Sequence, residues 1–358
     1  MITPVDAALL LAAFALILVG AELFTNGVEW LGQMLGMSEG ATGSILAAIG
    51  TATPETLVPI VAILFTQSAE ADDIGVGAIL GAPFMLGTLV MLLIGVTAFV
   101  FRKRRGRETL RVDRAHASRD LGFFLVMYTF ALAVAVIPPL REVKNIVGWI
   151  FLPAYFLYLF LVLRTPSSSA ADTEEAAEEQ AAFDALSFAT YLKRAGAPID
   201  AHRPPRWLIA GQVLLSFGGI LLGAKIFAAW IDTFSHAMGF NALLVALLLA
   251  PLATELPEAA NSLIWTKDGK DVIALGNVAG AMVFQSTIPV TVGVLLTPWV
   301  LGSFGTVAAI FALVSGALIF VQLRVRARDD TLPLSALVMG GSLYVVFIAY
   351  VLKTVLTG

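Results

Sequence analysis

Two stretches of this chain set a proline and a carboxylate side by side in apolar surroundings: Gly50-Thr51-Ala52-Thr53-Pro54-Glu55 and Ala253-Thr254-Glu255-Leu256-Pro257-Glu258. A proline inside a helix has no N–H to donate, so a backbone carbonyl one turn earlier loses its partner. A threonine hydroxyl and a carboxylate beside that carbonyl complete a set of hard oxygen ligands. Such ligands suit Ca2+ or Na+ and hold soft metals poorly. Glu55 and Glu258 are the candidate cation ligands, with Thr51 and Thr254 next to them. A carboxylate at the centre of a bilayer costs about 3 kcal/mol or more unless paired or hydrated, so its presence needs a reason. Gluing helices together is the bland reason, and it does not explain why two carboxylates recur at one register. Glu255 stays open between a ligand or proton carrier in the same site and a structural partner across a broken helix.

These stretches must be carried by membrane-spanning elements. The chain has 358 residues, 58% hydrophobic and 13% charged, whereas soluble domains carry about 25% charged residues. Apolar runs of ~20 residues, long enough to cross about 30 Å of hydrocarbon, recur along its length. The fold class is therefore an all-α polytopic membrane protein, with the lipid bilayer as its first partner. Ten spans are expected near 5–21, 41–66, 75–100, 120–138, 145–163, 207–231, 240–265, 272–296, 299–322 and 333–353. The first apolar run follows no basic stretch and precedes no small-residue cleavage site, so it reads as a retained helix and not a signal peptide. With no cysteine there is no disulfide framework and no thiolate metal site. A formal net charge of −4 gives no argument for a nucleic-acid partner. His116, His202 and His236 all lie outside the spans, and no hydrolase or kinase constellation accompanies them. The chain is not expected to be an enzyme or to need a cofactor.

The connections share out the basic residues unevenly. Loops 101–119, 164–206, 266–271 and 323–332 fall on one side of a ten-span alternation and hold eighteen lysines and arginines, against Arg141, Lys144 and Lys353 on the other. By the excess of positive charge on cytoplasmic loops, these four are cytoplasmic and both termini lie outside. The longest connection, 164–206, should contain a short helix. Acidic residues from Asp172 to Glu179 crowd its start, Lys193 and Arg194 its end, and Gly196 and Pro198 stop it. It reads as a linker helix resting on the membrane surface; a cation sensor is the other reading, although the acidic spacing is not that of a calcium loop.

The two halves match at a fixed offset. Adding 203 maps Gly20-Ala21-Glu22-Leu23-Phe24 onto Gly223-Ala224-Lys225-Ile226-Phe227, Gly36 onto Gly239, Thr51 onto Thr254, Pro54 onto Pro257 and Glu55 onto Glu258. After a four-residue contraction, adding 199 maps Asp72 onto Asp271, Gly77 onto Gly276, Gly81 onto Gly280 and Thr88 onto Thr287. The halves are 1–163 and 207–358, with repeat cores about 41–100 and 240–296. Five spans is an odd number, so the second half enters from the opposite side. The expectation is ten helices as two inverted five-helix repeats with broken helices two and seven, a hallmark of secondary transporters. Inversion would bring both breaks to the midplane, where they can face each other.

Spans three and eight carry glycines four apart, at Gly77 and Gly81 and at Gly276 and Gly280, which let helices approach closely. Asn277 and Gln285 add polar groups on the second-repeat side alone and are candidate site-lining residues. Glu22 and Lys225 occupy equivalent places in spans one and six. They either pair across the pseudo-two-fold or sit at helix ends and snorkel toward headgroups.

With these residues in hand, the chain resembles the cation/calcium antiporter superfamily, which includes the sodium/calcium exchangers. Its members carry two repeats with a G-T-S-x-P-E signature followed by G-N-x-x-G-S-N. The resemblance implies that Glu55 and Glu258 are central Ca2+ ligands and that the Thr51 and Thr254 backbone carbonyls coordinate the ion. It also implies that spans one and six form a gating bundle. Several positions depart from the signatures. The serines become Ala52 and Glu255 in the first motif and Ala82 and Ala281 in the second; Pro83 and Met282 replace the asparagines that follow, and Leu86 and Gln285 stand three residues on. Oxygen ligands of the flanking Na+ sites are missing, and Glu255 adds a third carboxyl able to carry a proton. The reading is a secondary antiporter exchanging Ca2+ for Na+, with H+ as the alternative counter-ion. A channel is disfavoured by the single-chain inverted repeat, and a non-transporting cation sensor or scaffold is the remaining alternative.

Overall fold

The computed structural model describes residues 3–35, 47–164, 185–198, 200, 203–325 and 330–357. Among them, eight helices are long and apolar enough to cross a membrane: Pro4–Met34, Ala71–Val100, Arg114–Val136, Lys144–Val162, Arg206–Met238, Asp271–Leu296, Gly302–Val325 and Leu334–Thr357. A bent pair, Ala242–Thr254 with Leu256–Asp268, makes a ninth, and Ala52–Phe65 is a shorter apolar helix. The chain is thus an all-helical, multi-pass membrane protein. Chain contacts divide it into two compact units, Met1–Ser68 with Ser169–Gly239 and Ala69–Ser168 with Phe240–Gly358. This division cuts across the two sequence halves.

The first unit holds α1 (Pro4–Met34), α2 (Ala47–Phe65), α7 (Ser187–Arg194) and α8 (Arg206–Met238). A capping box between Thr3 and Asp6, with Pro4 in the first turn, starts α1. Helices α1 and α8 run antiparallel, with Gly20 against Ser216 and Ile220 and Gly223 against Ala13, Leu16 and Ile17. The shift of 203 exchanges these two sets of contacts, so repeat-equivalent helices cross with opposite direction. Lipid tails are as apolar as leucine, so such contacts depend on close packing at small residues. Leu57 of α2, with Val213 and Phe217 of α8, packs against the cluster of Phe24, Val28 and Ile220.

Both long helices outrun their expected ends at 21 and 231. Glu22, Asn26 and Glu29 interrupt the apolar run without breaking the helix. Glu22 and Lys225 consequently lie inside exposed faces of long helices and not at helix ends, and no ion pair joins them among the described residues. The linker helix is also corrected. Its acidic start at 172–179 lies outside the described residues, and Ser187–Arg194 is docked onto protein: Leu186 and Ala189 are fully buried against Trp30, Leu31, Leu208 and Ile209. Ser187 N donates to Asn26 Oδ1 at 3.0 Å, and Phe188 N to Gln212 Oε1 at 2.8 Å. Gly196, at φ 92°, ends it as expected.

The second unit is built around α3 (Ala71–Met85), whose residues from Ile74 to Met85 are all buried. An apolar helix without a polar face belongs in an interior. A π-helical turn at Leu86–Val90 joins it to α4 (Met91–Val100). Then come α5 (Arg114–Val136), α6 (Phe151–Arg164), α9 (Ala242–Thr254), α10 (Leu256–Asp268), α11 (Asp271–Gln285), α12 (Ile288–Leu296), α13 (Gly302–Val325) and α14 (Leu334–Thr357). Shifting Leu86–Val90 by 199 lands on the interruption between α11 and α12, so the equivalent spans are both irregular at one register. At one end of this unit, strand β1 (Thr109–Arg111) pairs antiparallel with β2 (Thr331–Pro333). Buried Asp271, opening α11, pairs there with Arg105 Nη2 at 2.5 Å and Arg107 Nη2 at 3.0 Å and accepts from Arg111 N at 2.9 Å.

Two consequences are measurable as thermal unfolding of the purified protein in detergent. A Cβ at Gly77 or Gly81 would overlap the carbonyl oxygen of Leu243 or Leu247 on α9, whereas one at Gly218 meets nothing within 4 Å. Gly77→Val and Gly81→Val should sharply lower the midpoint, and Gly218→Ala should leave it almost unchanged. Asp271→Asn strips two guanidiniums of their buried counter-charge and should cost about 3–5 kcal/mol.

Candidate functional site

The second Pro-Glu stretch forms a true interruption. Helix α9 ends at Thr254, α10 begins at Leu256, and their axes bend by 56°. Pro257 is the cause, because it has no N–H for the Ala253 carbonyl while its fixed φ suits the first turn of the next helix. Bonds on either side hold the joint: Glu255 N donates to Pro251 O at 2.8 Å, and Ala259 N to Glu255 O at 2.9 Å.

Glu255 fills the joint with a fully buried side chain. Its Oε1 accepts from the Thr254 hydroxyl at 3.2 Å and from the Gln285 amide at 3.0 Å. Gln285 is thus brought to Glu255, at the far end of α11. Glu258 sits one turn on, in the first turn of α10, 9% exposed. A helix N-terminus carries partial positive charge and suits a carboxylate there. Its Oε2 is buried with no hydrogen-bond partner among the described residues. Asn277 lines this region through the backbone: its Nδ2 donates to the Glu258 carbonyl oxygen at 3.3 Å and to Ser262 Oγ at 3.1 Å. Ser262 was not among the expected residues, and its signal was the four-residue step from Glu258.

In the first unit, Glu55 is buried on α2. The break expected there is absent among the described residues, because α2 stays helical through Pro54 and Pro59. A single missing N–H bends a helix before it divides it. Pro59 also offers no N–H to the Glu55 carbonyl. Residues 41–46 and the side chain of Thr51 lie outside the described residues. The positions equivalent to Asn277 and Gln285 are Ala78 in α3 and Leu86 in the π-helical turn after it, both buried and apolar. The amide pair Asn277 and Gln285 therefore has no counterpart in the first repeat.

Comparisons with known proteins agree with this architecture. CaxA of Alkalimonas amylolytica, named as a candidate antiporter, is 24% identical over 291 residues, covering 81% of each chain. Inner membrane protein YrbG of Escherichia coli K12 is 25% identical over 295 residues, covering 81% of this chain and 80% of its own. The crystal structure of the H+/Ca2+ exchanger CAX superposes with a TM-score of 0.65 at 13% identity, over 97% of this chain and 82% of that one. The sodium-calcium exchanger NCX_Mj gives 0.54 at 18% identity, over 97% and 99%. These two show a shared fold. The family model for the sodium/calcium exchanger protein matches residues 5–164 and 208–355. That match spans both halves and leaves out little beyond the linker, so the chain belongs to the sodium/calcium exchanger family of membrane antiporters.

Proposed function

We propose that this antiporter exports Ca2+ in exchange for Na+, holding the ion on Glu55 and Glu258 with help from the Thr51 and Thr254 carbonyls. The carrying observation is the interrupted helix at Glu255, which starts a new helix with buried Glu258 in its first turn. The joint carries the Glu255 and Glu258 carboxyls and the Thr254 hydroxyl, hard oxygen groups of the kind Ca2+ or Na+ takes. Glu55 enters through the repeat, since it occupies the register of Glu258 in the first half. The antiparallel, exchangeable contacts of Gly20 and Gly223 support an inverted pair of five-helix repeats. The eighteen basic residues on one set of loops support a cytoplasmic 164–206 connection and outside termini.

A second reading makes H+ the counter-ion. It is favoured by Glu255, a carboxyl that can move a proton where a serine cannot, held by the neutral Thr254 and Gln285 groups. Apolar Ala78 and Leu86 at the matching first-repeat positions also leave fewer ligands for Na+. Radioactive Ca2+ uptake into proteoliposomes under an imposed Na+ or H+ gradient separates the two. Uptake should follow one gradient and vanish in Glu55→Gln and Glu258→Gln. Uptake that responds to the pH gradient and ignores Na+ assigns H+. Folded protein stabilised by Ca2+ but carrying none under either gradient would instead mark a sensor.

A further inference from the structure

Helix α10 carries a polar residue on every turn beyond the joint. Glu258, Ser262 and Thr266 follow at intervals of four, which puts them on one face. Ser262 and Thr266 are fully buried. The Thr266 hydroxyl donates to the Ser262 carbonyl at 2.7 Å, and Asn277 of α11 bridges Ser262 Oγ at 3.1 Å and the Glu258 carbonyl at 3.3 Å. A continuous run of polar groups therefore leads from Glu258 along the α10–α11 seam to the turn at Gly269.

A hydroxyl bonded to the carbonyl four residues back is ordinary in helices, and Thr291 and Thr297 do the same elsewhere in the chain. Two further facts set this seam apart. The crossing amide of Asn277 engages α10 on successive turns and so gives up other partners. The first repeat also has no counterpart: Pro59 and Ile63 stand where Ser262 and Thr266 do, and Ala78 where Asn277 does. Helices α2 and α10 are repeat-equivalent, although they belong to different compact units. Polar groups in one of them alone, leading to an intramembrane carboxylate, are the mark of an ion pathway.

We propose that Ser262, Thr266 and Asn277 line the path by which ions and water reach Glu258 from the α10–α11 turn. The inference rests on Glu258 holding the transported ion. In the present conformation the path is shut, since both hydroxyls are buried, and it conducts only when α10 and α11 part. Hydroxyl and amide oxygens then replace part of an ion's hydration shell while binding it too weakly to trap it.

The chain has no cysteine, so single cysteines can be read without background. Ser262→Cys and Thr266→Cys are introduced into the full-length reconstituted protein. A charged, membrane-impermeant methanethiosulfonate is then applied to either side. Labelling is expected from the side of the α10–α11 turn only and slowed by Ca2+. Its rate should lie roughly 10- to 1,000-fold below that of an exposed thiol, as for an open state populated at 0.1–10%. The double variant Ser262→Ala/Thr266→Val, close in size and checked for an unchanged unfolding temperature, should lower turnover several-fold without raising KM for Ca2+. Absence of labelling at both positions, equal labelling from both sides, or full turnover in the double variant would overturn the proposal. Labelling from one side in a protein that moves no Ca2+ would keep the path and remove Ca2+ as its cargo.

Discussion

Within hydrocarbon there is no water to bond an exposed backbone group, so each N–H and C=O must find its partner inside the protein. That constraint governs how a membrane-spanning chain can interrupt a helix. Pro257 removes the donor that the Ala253 carbonyl would use, while the groups on either side keep their own bonds. The Glu255 N–H reaches back to Pro251, the Ala259 N–H reaches back to Glu255, and Asn277 meets the Glu258 carbonyl from the neighbouring helix. The joint persists because these groups are satisfied locally, and it leaves α10 to begin at the register of Glu258.

The remainder of the second unit holds that joint in place. Helix α9 lies close along α3 because Gly77 and Gly81 present no side chain to the Leu243 and Leu247 carbonyls. Helix α11, which brings Asn277 and Gln285, is anchored at its start by Asp271 under two arginines and a backbone N–H. Buried charges are costly unless paired, and here the arginine-rich connection directs its donors to Asp271 Oδ2. Arginines of the 101–119 connection thus fasten the helix that carries Asn277 and Gln285. In the first unit, Gln212 and Asn26 do comparable work, drawing the linker helix onto α1 and α8 through its first backbone N–H groups.

Particular residues show how far the sequence could be read. The apolar runs located the spans because twenty consecutive apolar residues have few alternatives to crossing a bilayer. The proline of the second repeat predicted a broken helix at Pro257, and α9 and α10 are bent by 56° there. The same logic overreached at Pro54, where the described helix runs on. A proline's effect depends on whether neighbouring groups take over the freed carbonyl, and spacing does not reveal that. Asn277 and Gln285 stand out in the sequence as polar, but their partners are not legible there: one serves a backbone carbonyl and a serine, the other Glu255.

By itself, the sequence determined the membrane fold class, the duplicated halves, the polar residues at the interrupted helix and the family. Each of these follows from residue type and spacing along the chain. Tertiary structure alone decided that α1 and α8 extend past their apolar stretches, that the linker helix is docked, and that Glu255 rather than Glu258 receives the Thr254 and Gln285 donors. A hydrogen bond is chosen by distances of a few tenths of an ångström between groups far apart in the chain. Those distances exist only once the helices have packed.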